Sequence, residues 1–344
     1  MVMNHWKELP ELSNVPNINL LRNGRKCRPL YLRIETVNIC NNRCIICAYP
    51  DQTRPEQVMT MPVFKKTVED YVSLGGGYLS LTPLVGEVLL DPSLTERLQY
   101  LELFAHKIEL GVTTNAAMAC RYSDDELKYI LGRFTKISIS VYGLDPVEYN
   151  QLTQRKNFKK ALEGIRRIIT CSSQPVSMEF RLLKKRTQEQ LNDWLKNEVM
   201  IGVNASAGAL KTKINSSTTN YANWGIYNKN NNPLPGDAHW TTLKKTDNVP
   251  QCLIPLFACL VFSNGNVSYC PCDNFDDIEE LRLGNIMERS LTRIYNSQRA
   301  HELWHWEQYG TPRFCRNCSF HIPLSILQTN STILSDPHQI VGAG

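Results

Sequence analysis

The 344-residue sequence predicts an α/β fold: an open, partial barrel followed by a small cysteine-bearing C-terminal domain. Two observations carry that expectation. Short strand-like runs alternate with helical patterns, the mark of βαβ units on a parallel sheet. Seven of the twelve cysteines fall into two spaced groups, one directly after the first strand-like run and one near the C-terminus. A chain of this length suits one large domain plus a small one.

The first strand-like run is LYLRIETV at 30–37. Similar runs recur at 78–82, 107–114, 136–142 and 176–182. Helical patterns lie at 62–74, 94–105, 124–131, 158–171 and 188–199. The helix at 62–74 has Pro62 in its first turn, and the glycines at 75–77 end it. Five or six units fit before residue 215, too few for a closed eight-fold barrel and enough for a partial one. Residues 202–250, rich in Asn, Ser, Thr, Gly and Pro, read as loop and linker. Two strands are expected around the Asn264–Gly265 turn, then a helix over 291–307. The domain expectation is an N-terminal extension at 1–29, a barrel at 30–225, an auxiliary domain at 226–323 and a tail at 324–344.

Hydrophobic residues are 42% and charged residues 21%, both ordinary for a globular chain, so a sizeable core is available. The net charge of +5 is mild, and the clusters Lys184–Arg186 and Lys244–Lys245 read as solvated faces, so no nucleic-acid partner is implied. No signal-peptide h-region opens the chain, and no run of apolar residues is long enough to span a membrane. A cytoplasmic protein without a membrane partner is expected. There, clustered cysteines more often bind metal than form a disulfide framework.

Cys40, Cys44 and Cys47 have C-x3-C-x2-C spacing, in a loop at the carboxyl end of the first strand, where parallel α/β folds carry their active sites. Three thiolates can hold three irons of a cubane and leave the fourth iron open, whereas iron–sulfur clusters are otherwise held by four cysteines. The amino and carboxylate groups of S-adenosylmethionine are a chelating ligand for such an iron. A zinc site or three unrelated core cysteines is the alternative. Cys252, Cys270, Cys315 and Cys318 form the second group, with Gly265 giving C-x12-G-x4-C and the set closing on C-x2-C. Four thiolates suit either zinc or a fully ligated cluster, and Cys259 or Cys272 could replace one of them. Cys27, Cys120 and Cys171 read as small hydrophobes.

With these motifs the chain resembles the radical SAM superfamily. LVGEVLLDP, with Gly86 and Glu87, resembles the family's Gly-Gly-Glu segment at the S-adenosylmethionine amino group, with Val85 in place of its first glycine. TTN, ending on Asn115, closes the third strand as in family members. ISISVYG resembles the fourth-strand segment, whose serine, here Ser140, lies near the cofactor. The resemblance makes Arg155 and Arg181 candidates for the cofactor carboxylate. The family's aromatic residue before the third cysteine is here Ile46, which leaves Tyr49 as the candidate near the adenine. NGNVSYC, LGNIMERSLTRIYNSQ and FCRNCSF resemble the SPASM/twitch region, and YANWG recurs just before it in many relatives. The cysteine spacing is similar to that of the twitch-type dehydrogenase of 2-deoxy-scyllo-inosamine. The resemblance therefore implies a TIM-like radical SAM barrel, a SAM-binding [4Fe–4S] cluster, an auxiliary [4Fe–4S] cluster and a reducing partner such as flavodoxin or ferredoxin.

What it implies about activity is hydrogen abstraction by a 5′-deoxyadenosyl radical from a polar, carbohydrate-like or aminocyclitol metabolite, giving oxidation or epimerisation. One alternative is maturation of a ribosomally made peptide. Many such relatives carry a leader-recognition domain before the barrel; the 29 residues before the first strand weigh against this alternative, although a leader binder can be a separate chain. A non-catalytic zinc-binding scaffold is the third reading. No general base is assigned: His239, His301, His305 and His321 lie in or near the second domain, and a lone histidine is more often structural. Trp224, Trp240, Trp304 and Trp306 fit a substrate pocket or core packing alike.

Overall fold

The computed structural model describes residues 28–201, 212–224, 233–241 and 249–323. Cys27, Gly225, the Lys244–Lys245 pair, most of the N-terminal extension and the tail lie outside them. Strands β1 (Tyr31–Ile34), β2 (Gly77–Ser80), β3 (Ile108–Thr114), β4 (Lys136–Tyr142), β5 (Val176–Arg181) and β6 (Lys213–Thr218) pair in parallel, each with the next in sequence. Helices α1 (Met61–Ser73), α2 (Leu94–Glu102), α3 (Asp124–Gly132), α4 (Pro146–Thr153), α5 (Phe158–Cys171) and α6 (Gln188–Trp194) connect them. Local chemistry sets the helix starts. Ser123 with Glu126 and Thr187 with Gln190 form capping boxes for α3 and α6. Among the described residues no helix is long and apolar enough to cross a membrane.

The sheet continues past β1. Strand β9 (Ala258–Val261) pairs in parallel with β1, from Tyr31 opposite Ala258 to Ile34 opposite Val261. β10 (Asn266–Ser268) and β11 (Arg282–Asn285) add antiparallel, giving the order β11-β10-β9-β1-β2-β3-β4-β5-β6. The hairpin expected around Asn264–Gly265 is therefore present, with Gly265 at φ +86°. β7 (Asn220–Tyr221) and β8 (His239–Trp240) make a separate two-stranded sheet.

Three expectations are corrected. The stretch read as linker contains β6, an edge strand whose KINSST sequence has Ile214 as its one large apolar residue, so it carries little hydrophobic alternation. Helix α4 was not expected, yet Asp145 caps it by accepting from the backbone N–H groups of Val147 and Glu148, and Pro146 opens it. The helix expected over 291–307 is three: α7 (Leu291–Tyr295), α8 (Gln298–Trp304) and α9 (Trp306–Tyr309). Ser297 restarts it as the cap of α8, and His305 leaves helical geometry at φ −126°, ψ 64°.

Side chains alternate across β1. Leu32 and Ile34 join the core that α1 and α2 share. On the other face Tyr31 stacks on Tyr78 at 5.2 Å between ring centroids, and Lys136 Nζ lies 5.0 Å from the Tyr78 ring. A Cβ at Gly111 would collide with the Tyr78 hydroxyl, so only glycine fits beside that ring. Farther along β1, just past its end, Glu35 is fully buried and holds the segment that follows the cysteine loop. Arg54 grips it with two bonds, 2.9 and 2.8 Å. Arg54 Nε also donates to the Phe275 carbonyl at 3.0 Å, and its guanidinium lies 4.5 Å from the centre of the Phe262 ring. Ser263 donates to the same carboxylate through its backbone and hydroxyl, at 3.3 and 3.1 Å.

Removing one partner of a buried ion pair leaves the other charge without compensation. Arg54→Ala is expected to cost about 3–5 kcal/mol in a urea titration, and Glu35→Gln clearly less. A loss below about 1 kcal/mol for Arg54→Ala would show that the pair does not hold this segment.

Candidate functional site

The loop after β1 is pinned from several sides. Arg43 and Ile45 donate their backbone N–H groups to Thr153 and Leu152, at the end of α4, at 3.0 and 2.8 Å. Arg155 Nε donates to the Asn41 carbonyl at 3.1 Å, and Trp224 Nε1 to the Ile46 carbonyl at 3.1 Å. Cys40, Cys44 and Cys47 are brought together by this loop. Asn42 N–H points at Cys40 Sγ at 3.5 Å and Tyr49 N–H at Cys47 Sγ at 3.4 Å. Burial pushes the Cys40 and Cys44 thiols up. Cys44 is raised further by the charges of Cys47 and Cys40, and Cys40 by Glu87 and Cys47. Thiolates this crowded and buried need positive charge beside them to ionise, which iron supplies.

Glu87 is buried, and its carboxylate ties its own turn to the end of β3. Oε1 accepts from Leu89 N–H at 3.1 Å and the Thr114 hydroxyl at 2.6 Å, and Oε2 from Asn115 N–H at 2.8 Å. Its own N–H donates to Ile39 at the start of the cysteine loop, at 2.8 Å. Burial holds its pKa above the ordinary carboxylate range despite these donors. Gly86 sits at φ +144°, where a Cβ would come within 2.7 Å of the Val37 carbonyl oxygen. Asn115 exchanges side-chain bonds with Asn41, at 2.9 and 3.4 Å, beside Cys40. Gly86, Glu87 and Asn115 therefore meet at the cysteine loop.

The other expected contacts divide. Ser140 is buried with its hydroxyl lacking a partner, in a small cavity it shares with Asn115, Tyr142, Tyr149 and Trp194. Arg181 is buried and paired with Glu179 at 2.8 Å, with its Nε still lacking an acceptor, and its charge reaches Cys44. Arg155 lies at the surface and steadies the loop backbone. Tyr49 packs among Leu84, Val85, Trp224 and Phe275 and donates to Glu56 at 2.8 Å, whereas Ile46 packs with Tyr221 and Trp240.

The second group is buried at the other end of the β1–β9 pair. Cys252 precedes β9, and β10 runs back beside it toward Cys270, so both lie where β1 begins, while Cys40 lies where it ends. Cys315 and Cys318 feel the charges of Cys252 and Cys270. Burial raises Cys252 to about 12. Cys270 is lowered to about 7 by the Cys272 thiol and by the N–H groups of Asp273, Cys272 and Asn274. Phe320 N–H points at Cys318 Sγ at 3.4 Å. Cys272 thus belongs to this group, whereas Cys259 lies inside β9, raised by burial alone. Asp273 was not foreseen: it is fully buried against Cys270 and the Cys318 thiol, and neither carboxylate oxygen has an N–H or O–H donor. Its only sequence signal is its place in CPCD, next to Cys272.

Among the described residues no group of three or more His, Cys, Asp or Glu side chains closes to the spacing of one metal ion. Each thiol of a cubane binds its own iron, so a cluster spaces its ligands more widely. Buried thiols met by backbone N–H donors fit such a group at both places. Trp224 stands between the two: it bonds Ile46 of the first loop and packs edge-on to Phe275 and Phe320, at 5.8 and 5.9 Å. The four histidines make local contacts instead. The His301 ring lies tilted against that of His305, 4.2 Å between centroids, and His321 bonds the Pro250 carbonyl at 2.8 Å. His239 bonds the Asp237 carbonyl in its own turn, and Trp304 and Trp306 pack in the core.

Comparison with known proteins follows the same division. The radical SAM superfamily model matches residues 34–196, and that of SPASM, an iron–sulfur cluster-binding domain, matches residues 252–319. The chain is 25% identical over 168 residues to GTP 3′,8-cyclase of Alkaliphilus oremlandii, covering 48% of this chain and 51% of that one. It is 27% identical over 175 residues to human molybdenum cofactor biosynthesis protein 1, covering 48% and 26%. Among solved structures it is similar to BtrN in complex with AdoMet and 2-DOIA, at TM-score 0.54 and 16% identity, covering 86% and 94%. It is also similar to Streptococcus suis SuiB bound to the precursor peptide SuiA, at TM-score 0.56 and 13% identity, covering 88% and 74%.

Glu87→Gln puts an amide N–H₂ against one of three donors and should cost about 1–3 kcal/mol. Amide exchange should speed up at Leu89 and at 112–118, where the carboxylate accepts its bonds. Exchange unchanged at both places would mean that the carboxylate does not hold them.

Proposed function

From the premise that this chain belongs to the radical SAM superfamily and carries a C-terminal SPASM domain, we propose that it oxidises or epimerises a polar small molecule held between two iron–sulfur clusters. The radical SAM domain implies a [4Fe–4S] cluster and S-adenosylmethionine, and the SPASM domain implies auxiliary iron–sulfur. In this reading Cys40, Cys44 and Cys47 hold the first cluster, and Cys252, Cys270, Cys315 and Cys318 the second. The observation that carries it is the position of the two thiol groups at opposite ends of the β1–β9 pair. The paired strand that separates the two ends is four residues, about 13 Å, long.

Bound together, the first cluster and S-adenosylmethionine supply a 5′-deoxyadenosyl radical, which takes hydrogen from a substrate carbon. The chain's residues orient and exclude water. Glu87, Gly86 and Asn115 form the floor beside Cys40. Arg181, with an N–H to spare, is the candidate for the cofactor carboxylate, and Ser140 for a cofactor hydroxyl. Tyr49 and Trp224 close the side toward the second thiol group with apolar surface. An electron acceptor at the far end suits oxidation, in which the substrate gives up an electron and a proton after losing hydrogen. The relatives named for acting on GTP, a polar metabolite, support a small-molecule substrate over a peptide.

Anaerobically reconstituted protein should cleave S-adenosylmethionine, and a polyol or aminocyclitol should stimulate 5′-deoxyadenosine release. One ketone per 5′-deoxyadenosine marks oxidation. Unchanged substrate mass with deuterium uptake from solvent marks epimerisation. Stimulation by a precursor peptide and by no small molecule would overturn the reading. Cys44→Ala should lose about half the iron and all cleavage, and Cys315→Ala about half the iron while uncoupled cleavage persists. Protein carrying zinc and no iron would overturn both assignments.

A further inference from the structure

Arg33 lies on β1, against the turn of the second cysteine group, and is almost fully buried, 4% exposed. A guanidinium in that setting is ordinarily paired with a carboxylate. Among the described residues Arg33 has no such partner. Nη1 donates to the Pro271 carbonyl at 3.1 Å, Nη2 reaches the Tyr31 hydroxyl at 3.4 Å, and Nε has no acceptor. Pro271 stands between Cys270 and Cys272, so that bond holds the cation against the turn carrying a proposed cluster ligand. The neighbouring acid is engaged elsewhere: Glu35 is occupied by Arg54 and Ser263. Asp273 lies against Cys270 and Cys318.

A four-thiolate cubane is an anion, and it becomes more negative by one charge when reduced. A fixed, desolvated cation nearby favours the reduced member of the couple. We propose that Arg33 is the buried counter-charge of the auxiliary cluster and raises its reduction potential, so that this cluster accepts an electron readily. The inference rests on the four-cysteine auxiliary site of the preceding reading. It explains why an arginine remains unpaired in the barrel interior: its anionic partner is the cluster.

The test uses the full chain with Cys40, Cys44 and Cys47 all changed to alanine, so that only an auxiliary cluster can load. Its potential is read by an EPR-monitored redox titration. Arg33→Gln should make the cluster at least tenfold harder to reduce, a negative shift of about 59 mV or more for a one-electron couple. Arg33→Lys should keep most of the parent potential. If the triple variant with Arg33 intact loads no cluster, the auxiliary-site reading fails and this inference with it. If the cluster loads and Arg33→Gln leaves its potential in place, the auxiliary site stands and the counter-charge role is overturned. Should Arg33→Gln and Arg33→Met both fail to load a cluster, the lysine variant decides. Loading at the parent potential supports the proposal. Failure to load, or a potential displaced downward, shows that geometry and not charge is required.

Discussion

Four residue pairs between β1 and β9, from Tyr31 with Ala258 to Ile34 with Val261, put the second cysteine group on the same sheet as the first. Because the pairing is parallel, the loop leaving β1 and the segment entering β9 lie at opposite ends. The chain travels more than two hundred residues between them, and the register then sets how far apart the two thiol groups stand. A slip of one residue would turn Arg33, Glu35 and their neighbours to the other face and undo the packing on both sides.

Around that pairing, polar contacts are spent on holding loops rather than on adding strands. Glu87 ties the cysteine loop to the ends of β2 and β3. Glu35 with Arg54 and Ser263 ties the segment after that loop to β9. Trp224 joins the first loop to Phe275 and Phe320 of the second group. Each of these groups is buried, so each bond forms in a low-dielectric setting where leaving it unmade is expensive. The two cysteine groups are thereby held against a common rigid frame.

The electrostatics of the two ends differ. At the first, burial and mutual repulsion raise Cys40 and Cys44, and Glu87 adds negative charge to Cys40. At the second, N–H groups and the Cys272 thiol converge on Cys270 and lower it to about 7. Each end also carries the opposite influence: burial, Asp273 and the neighbouring thiols raise Cys315 and Cys318 at the second, and the Arg181 charge lowers Cys44 at the first.

Much of the fold was legible in one dimension because strand and helix periods are local. β4 and α5 lie where their patterns end, and the Ser123 and Thr187 caps mark α3 and α6. β6 escaped notice because an edge strand with one apolar residue carries no alternation, and α4 because its apolar face is weak. The cysteine spacings by themselves marked two groups of thiols, since such spacing is written along the chain. Gly86 and Glu87 were legible through the resemblance of LVGEVLLDP to a family segment. Only the folded chain decided that Cys272 joins the second group and Cys259 does not, that Arg155 steadies backbone while Arg181 lies buried beside Cys44, and that Arg33 and Asp273 stand unpaired near the sulfurs. Those facts depend on which residues meet across long sequence separations, and burial and charge are properties of that meeting, absent from any one stretch of sequence.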